Sequence, residues 1–76
     1  MTIHWYTPPD SEAIQRAGYD PDRHELHVVF AGGRRYRYED APPELFARLK
    51  QAPSAGQFVN WEVKPHYRFE EAKSWH

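Results

Sequence analysis

Cysteine is absent from the 76 residues. This excludes a disulfide framework, a thiolate nucleophile and a thiolate-bound metal, and it makes a reducing compartment the natural setting. No apolar run approaches the roughly 20 residues that span a bilayer. Nor does a basic N-terminal stretch lead into an apolar segment, as a secretory leader would. These absences read as a soluble protein of the cytoplasm. Charge of one sign is lacking as well: ten Lys plus Arg against eleven Asp plus Glu leave a net charge of −1. That is not the strongly basic balance of a general nucleic-acid coat, so any affinity for nucleic acid has to be local.

What the chain does have is aromatic side chains: three Trp, five Tyr and four Phe. A domain this small buries only about 60% of its unfolded surface. A few large rings, each removing roughly 150–250 Å² from water, must therefore supply much of the core. The charge is segregated, because Arg34, Arg35 and Arg37 face only Glu25 within residues 24–38.

Periodicity predicts an α+β domain, a three-stranded antiparallel meander followed by two short helices on one sheet face (βββαα). The first strand runs from Ile14 to Tyr19 and is stopped by Asp20-Pro21-Asp22. The second, His24 to Phe30, alternates with Leu26, Val28 and Phe30 on one face and Glu25, His27 and Val29 on the other. Ala31-Gly32-Gly33 closes a hairpin into the third, Arg34 to Glu39. Tyr36 and Tyr38 then join the apolar face, and Arg35 and Arg37 point the opposite way.

Pro42-Pro43 is set for helix entry, with Glu44 at the positive end of the dipole and Leu45, Phe46 and Leu49 as the buried stripe. Pro53 ends that helix. Ser54 with Gln57 reads as a capping box opening a second helix, with Phe58 and Trp61 expected inward. Pro65 ends it, and His66 to Phe69 reads as extended. Residues 1–10 are expected to be a partly ordered aromatic arm, 11–69 the domain and 70–76 a tail.

Gly18-Tyr19-Asp20-Pro21, the Leu26/Val28/Phe30 strand, Gly33 with Tyr36 and Tyr38, Pro42 before Leu45-Phe46, and Ala52-Pro53-Ser54 with Gly56, Phe58 and Asn60 together resemble the KTSC domain. That family is named for the C-terminal segment of some lysyl-tRNA synthetases. The resemblance covers residues 11–69 and implies a compact meander with one or two helices on one face, and a role in RNA binding. Relatives often carry a basic residue where Gln57 stands, and only Lys64 is positive in Trp61-Glu62-Val63-Lys64.

The leading functional reading is a non-catalytic module that contacts RNA or single-stranded nucleic acid through Arg34, Arg35 and Arg37, helped by Lys64 and Arg68. Arginine there forks to phosphate or stacks on a base. The competing explanation is a solvated face balanced by Glu25 and Glu39. Tyr36 and Tyr38 resemble a stacking platform, but their face makes them core residues. Ser54, Gly56 and Asn60 form a second candidate, an anion site at a helix start, against which stands a structural role as cap, close contact and loop anchor.

The histidines suggest no metal site, because His24 and His27 sit three apart on a strand and His4, His66 and His76 have no partner spacing. Ser11, Ser54 and Ser74 lack a nucleophile elbow, so neither catalysis nor a cofactor is expected. The alternative function is a protein-interaction module docking on a larger, nucleic-acid-handling enzyme, with Trp5, Trp61 and Trp75 as contact residues.

Overall fold

The computed structural model describes residues 3–9 and 11–72. The expectations for Ser74, Trp75 and His76 fall outside these residues. Three strands form where alternation places them: β2 (Ile14–Asp20), β3 (Glu25–Phe30) and β4 (Arg35–Tyr38). The sheet nevertheless has five strands, all antiparallel, in the order of the chain. The three-stranded expectation is corrected at both edges. β1 (His4–Tyr6) pairs with β2, and β5 (Phe69–Ala72) returns after the helices to pair with β4.

Gly32 and Gly33 close the β3–β4 hairpin with φ of 95° and 90°, a region closed to most side chains. The register that follows sets Tyr38 opposite Leu26, Arg37 opposite His27 and Tyr36 opposite Val28. Tyr19, Leu26 and Tyr38 therefore make one cross-strand row on the helix side, at 3%, 0% and 1% exposure.

Helix α1 (Pro43–Gln51) starts with proline in its first turn and Glu44 beside it, and it buries Leu45, Phe46 and Leu49 as the stripe requires. Phe46 stacks on Tyr19 at a centroid distance of 5.7 Å. The Tyr19 hydroxyl donates to the Ala41 carbonyl at 2.5 Å, fixing the loop that feeds α1. Ala52, extended ahead of Pro53, ends the helix. Ser54 then caps α2 (Ala55–Phe58), its Oγ accepting from the Gln57 N–H at 3.3 Å.

Val59–Val63 continues α2 as a π-helical turn, closed by Lys64 N–H donating to the Val59 carbonyl at 2.9 Å. Ala55, Val59 and Val63 become the inner face, while Phe58 is half-buried and Trp61 is 71% exposed. The expectation that Trp61 points inward is thus corrected. Small and β-branched residues four apart take the close contact with the sheet, and position 61 falls on the opposite side of the turn. Gly56 allows the approach, since a Cβ there would lie 3.1 Å from that of Ala13.

Truncating Tyr38 to alanine should cost roughly 3–5 kcal/mol in denaturant melts, as for other buried aromatics. Trp61→Ala should change stability by less than about 0.5 kcal/mol. Equal costs would mean that the helix packs through its aromatic side after all.

Candidate functional site

The sheet face turned away from the helices carries the charged residues, and its composition follows from the registers. One row crosses all five strands: Trp5, Gly18, His27, Arg37 and Glu70. Beside it on one side lie Arg16, Val29 and Arg35, and on the other Asp20 and Glu25.

Trp5 lies flat over Gly18, where a Cβ would come within 2.7 Å of the indole. A glycine inside a strand marks such an approach. The Arg16 guanidinium stands 4.5 Å from the Trp5 centroid, a cation–π contact, and Trp5 keeps 41% of its surface exposed. Its ring meets His27 edge-on at 6.5 Å. Val29 is only 4% exposed although it faces outward; the register flanks it with Arg16 and Arg35, whose apolar stems can cover it.

His27 is 5% exposed, and its pKa is lowered from 6.5 to about 4. Burial is the main cause. The Asp20 carboxylate pulls the other way, and Arg37 and Arg23 push further down. The ring is accordingly neutral at neutral pH, and its 3.5 Å approach to Glu25 becomes an ion pair only on protonation. Asp20, at 1% exposure, accepts the backbone N–H groups of Asp22 and Arg23 on one oxygen, an Asx turn that closes the β2–β3 connection.

The cations named from the sequence are not gathered into one patch. Arg35 and Arg37 share the outer face, with Arg34 exposed at the adjoining hairpin. Arg37 pairs with Glu25 of β3 at 3.8 Å and hydrogen-bonds Glu70 of β5, so the third and fifth strands neutralise part of the expected charge. Lys64 lies on the helix side, 5.0 Å from the Phe30 ring. Arg68 sits at the far end of β4, beside Glu39 and Asp40.

Ser54, Gly56 and Asn60 do come together, in a shallow groove with Ser11, Glu12, Ala13 and Gln57. The Glu12 carboxylate in that groove repels an anion, and the Ser54 hydroxyl is engaged as a cap. Of the two tyrosines, Tyr38 is enclosed and its pKa is raised to about 12, chiefly by burial. Tyr36 is half-buried between Phe30 and Phe69, at 5.2 and 5.1 Å.

Two groups of residues escaped the sequence reading. Trp5, named from the sequence only as a contact residue of the alternative function, forms an outward aromatic and cationic pair with Arg16, for which the strand glycine Gly18 was a signal. Asp20, Glu25 and His27 converge across a turn, because Asp20 pairs with Glu25 and His27 lies two residues further on the same face.

Comparison with known proteins agrees with this architecture. The KTSC domain model matches residues 10–67. The chain belongs to the KTSC domain family. A KTSC domain protein of Yersinia pestis superposes with a TM-score of 0.83 at 25% identity, over 93% of this chain and 99% of that one. A protein of Tsukamurella paurometabola is 49% identical over 61 residues, 80% of this chain and 91% of its own. An uncharacterised protein of Stutzerimonas stutzeri is 43% identical over 60 residues, 78% of this chain and 84% of its own. A lysine–tRNA ligase of Nostoc punctiforme is 32% identical over 63 residues, 83% of this chain but only 11% of that enzyme.

The buried imidazole makes stability depend on pH with a definite sign. Unfolding frees His27 to bind a proton near its ordinary value of about 6.5, whereas the folded ring waits until about 4. Its contribution is whole above pH ~6.5 and is lost as pH falls toward about 4, up to about 3 kcal/mol in total. An NMR titration of the His27 ring should give a midpoint near 4, with stability declining over the same window. A midpoint near 6.5 would mean that the outer face is open to water at this position.

Proposed function

We propose that this KTSC domain is a non-catalytic module of the cytoplasm that binds RNA or another single-stranded nucleic acid across its outer sheet face. The observation that carries the reading is the half-exposed indole of Trp5 under the Arg16 guanidinium, on the same face as Arg35 and next to the Arg34 hairpin. A planar guanidinium held on the Trp5 ring, with Arg35 on the same face, offers a base a stacking partner and a phosphate its counter-charge. The similar segment within a lysine–tRNA ligase, an enzyme whose substrate is an RNA, supports the same reading. On the same face Arg37 is paired with Glu25 and Glu70, which offset part of its charge. Lys64 lies on the helix side, and Arg68 lies past the end of β4 beside Glu39 and Asp40, away from the Trp5 and Arg16 pair.

A second reading rests on Trp61. At 71% exposure it lies beside Ala52, Pro53 and Phe58 in a shallow apolar depression on the helix side, the kind of anchor found at protein contacts. Binding there would leave the outer face untouched.

Anisotropy titration of a short labelled single-stranded RNA at low salt separates the two. Saturable binding is expected with a Kd of order 10–100 μM, weakening as salt rises. Arg16→Glu with Arg35→Glu should abolish it, and Trp5→Ala, which removes the ring that holds the Arg16 guanidinium, should weaken it about tenfold. Absence of saturation at about 100 μM protein, or indifference to these substitutions, would overturn the nucleic-acid reading.

A further inference from the structure

We propose that Asp20, Glu25 and His27 form a site for a single divalent ion of the zinc type at the corner of the outer sheet face. One donor atom from each of the three residues lies within 4.8 Å of the others. The His27 Nε2 to Glu25 Oε1 distance is 3.5 Å. Two ligands on a tetrahedral ion with bonds of 2.0–2.1 Å stand about 3.4 Å apart, so this pair is already at coordination spacing. One imidazole with two carboxylates suits zinc or manganese better than magnesium or calcium, which prefer oxygen alone.

Three features distinguish this cluster from carboxylates that merely share a surface. Asp20 and His27 are 1% and 5% exposed, and the Glu25 side chain is 16% exposed and forms the way in. The donors stand on paired strands: Asp20 ends β2, Glu25 opens β3 opposite it, and His27 follows on the same face. Their spacing is therefore fixed by the sheet. Asp20 is also oriented by the Asp22 and Arg23 N–H groups on one oxygen, the outer-shell support that metal-ligating carboxylates usually have.

The charges around the cluster allow an exchange of cations. Two carboxylates face the neutral ring, and the neighbouring positive groups are Arg23 and Arg37. Arg37 places its Nε 3.8 Å from Glu25 while hydrogen-bonding Glu70 through its terminal nitrogen. An entering ion takes over Glu25, and Arg37 keeps Glu70. Three protein ligands leave the remaining coordination to water, so the site is an open and reversible one. This inference is independent of the nucleic-acid reading, since it uses neither Trp5 nor Arg16 nor Arg35.

The test is a zinc titration of the full chain, followed by calorimetry and by NMR of the histidine ring nitrogens. One equivalent should bind, and the His27 nitrogens should shift in that first equivalent, ahead of His4, His24 and His66. Glu25→Gln, at a partly exposed position, should fold normally by circular dichroism and bind at least about tenfold more weakly. His27→Gln should remove the first-equivalent binding. Magnesium and calcium at the same concentration should leave the His27 resonances in place. Zinc that shifts only the exposed histidines, or equal affinity in the parent and in Glu25→Gln, would overturn the proposal.

Discussion

Tyr38 sits directly opposite Leu26, and both are closed off from water beneath the helices. A slip of one residue between β3 and β4 would send that ring outward and drive Arg37 into the apolar layer. Several kcal/mol of lost aromatic burial and an uncompensated buried charge together forbid it. Everything on the other face inherits its position from this pairing. Because Tyr38 is in, Arg37 is out beside His27, and because Arg37 is out, β5 can bring Glu70 to it.

The central architecture was legible because its signals are local. Alternation in residues 24–30 and 34–39, two glycines at the hairpin, prolines at the helix entry and exit, and Ser54 ahead of Gln57 each act within a few residues. The edge strands lack such signals. His4–Tyr6 is too short to alternate, and Phe69-Glu70-Glu71 has the composition of a solvated tail; both become strands only because a neighbour offers an unpaired ladder. The inward face of the second helix was misread for a different reason. Phe58 and Trp61 outweigh Ala55, Val59 and Val63 in hydrophobic area, but close contact with a sheet favours the smaller set.

The outer face was legible only in part. Arg35 and Arg37 follow from alternation, whereas what surrounds them depends on registers among strands distant in the chain, as in the Arg37 to Glu70 pair, 33 residues apart. The sequence segregates positive charge into one hairpin, and the fold brings acidic partners back to it. What remains is a mixed surface, aromatic and cationic near Trp5 and Arg16, acidic near Asp20 and Glu25, with the neutral ring of His27 between them. Two distinct chemistries fit on one small face because a glycine strand position leaves room for an indole and a tight turn places a carboxylate.

The two rims of the sheet carry a further consequence. β1 has three residues and is followed, after Thr7, by Pro8 and Pro9, which have no N–H to give to an incoming strand. β5 has four residues and presents Glu70 and Glu71. Short, charged or proline-bounded edges are how sheets avoid joining one another. Two copies of this domain can therefore lie side by side without zipping into a continuous ribbon.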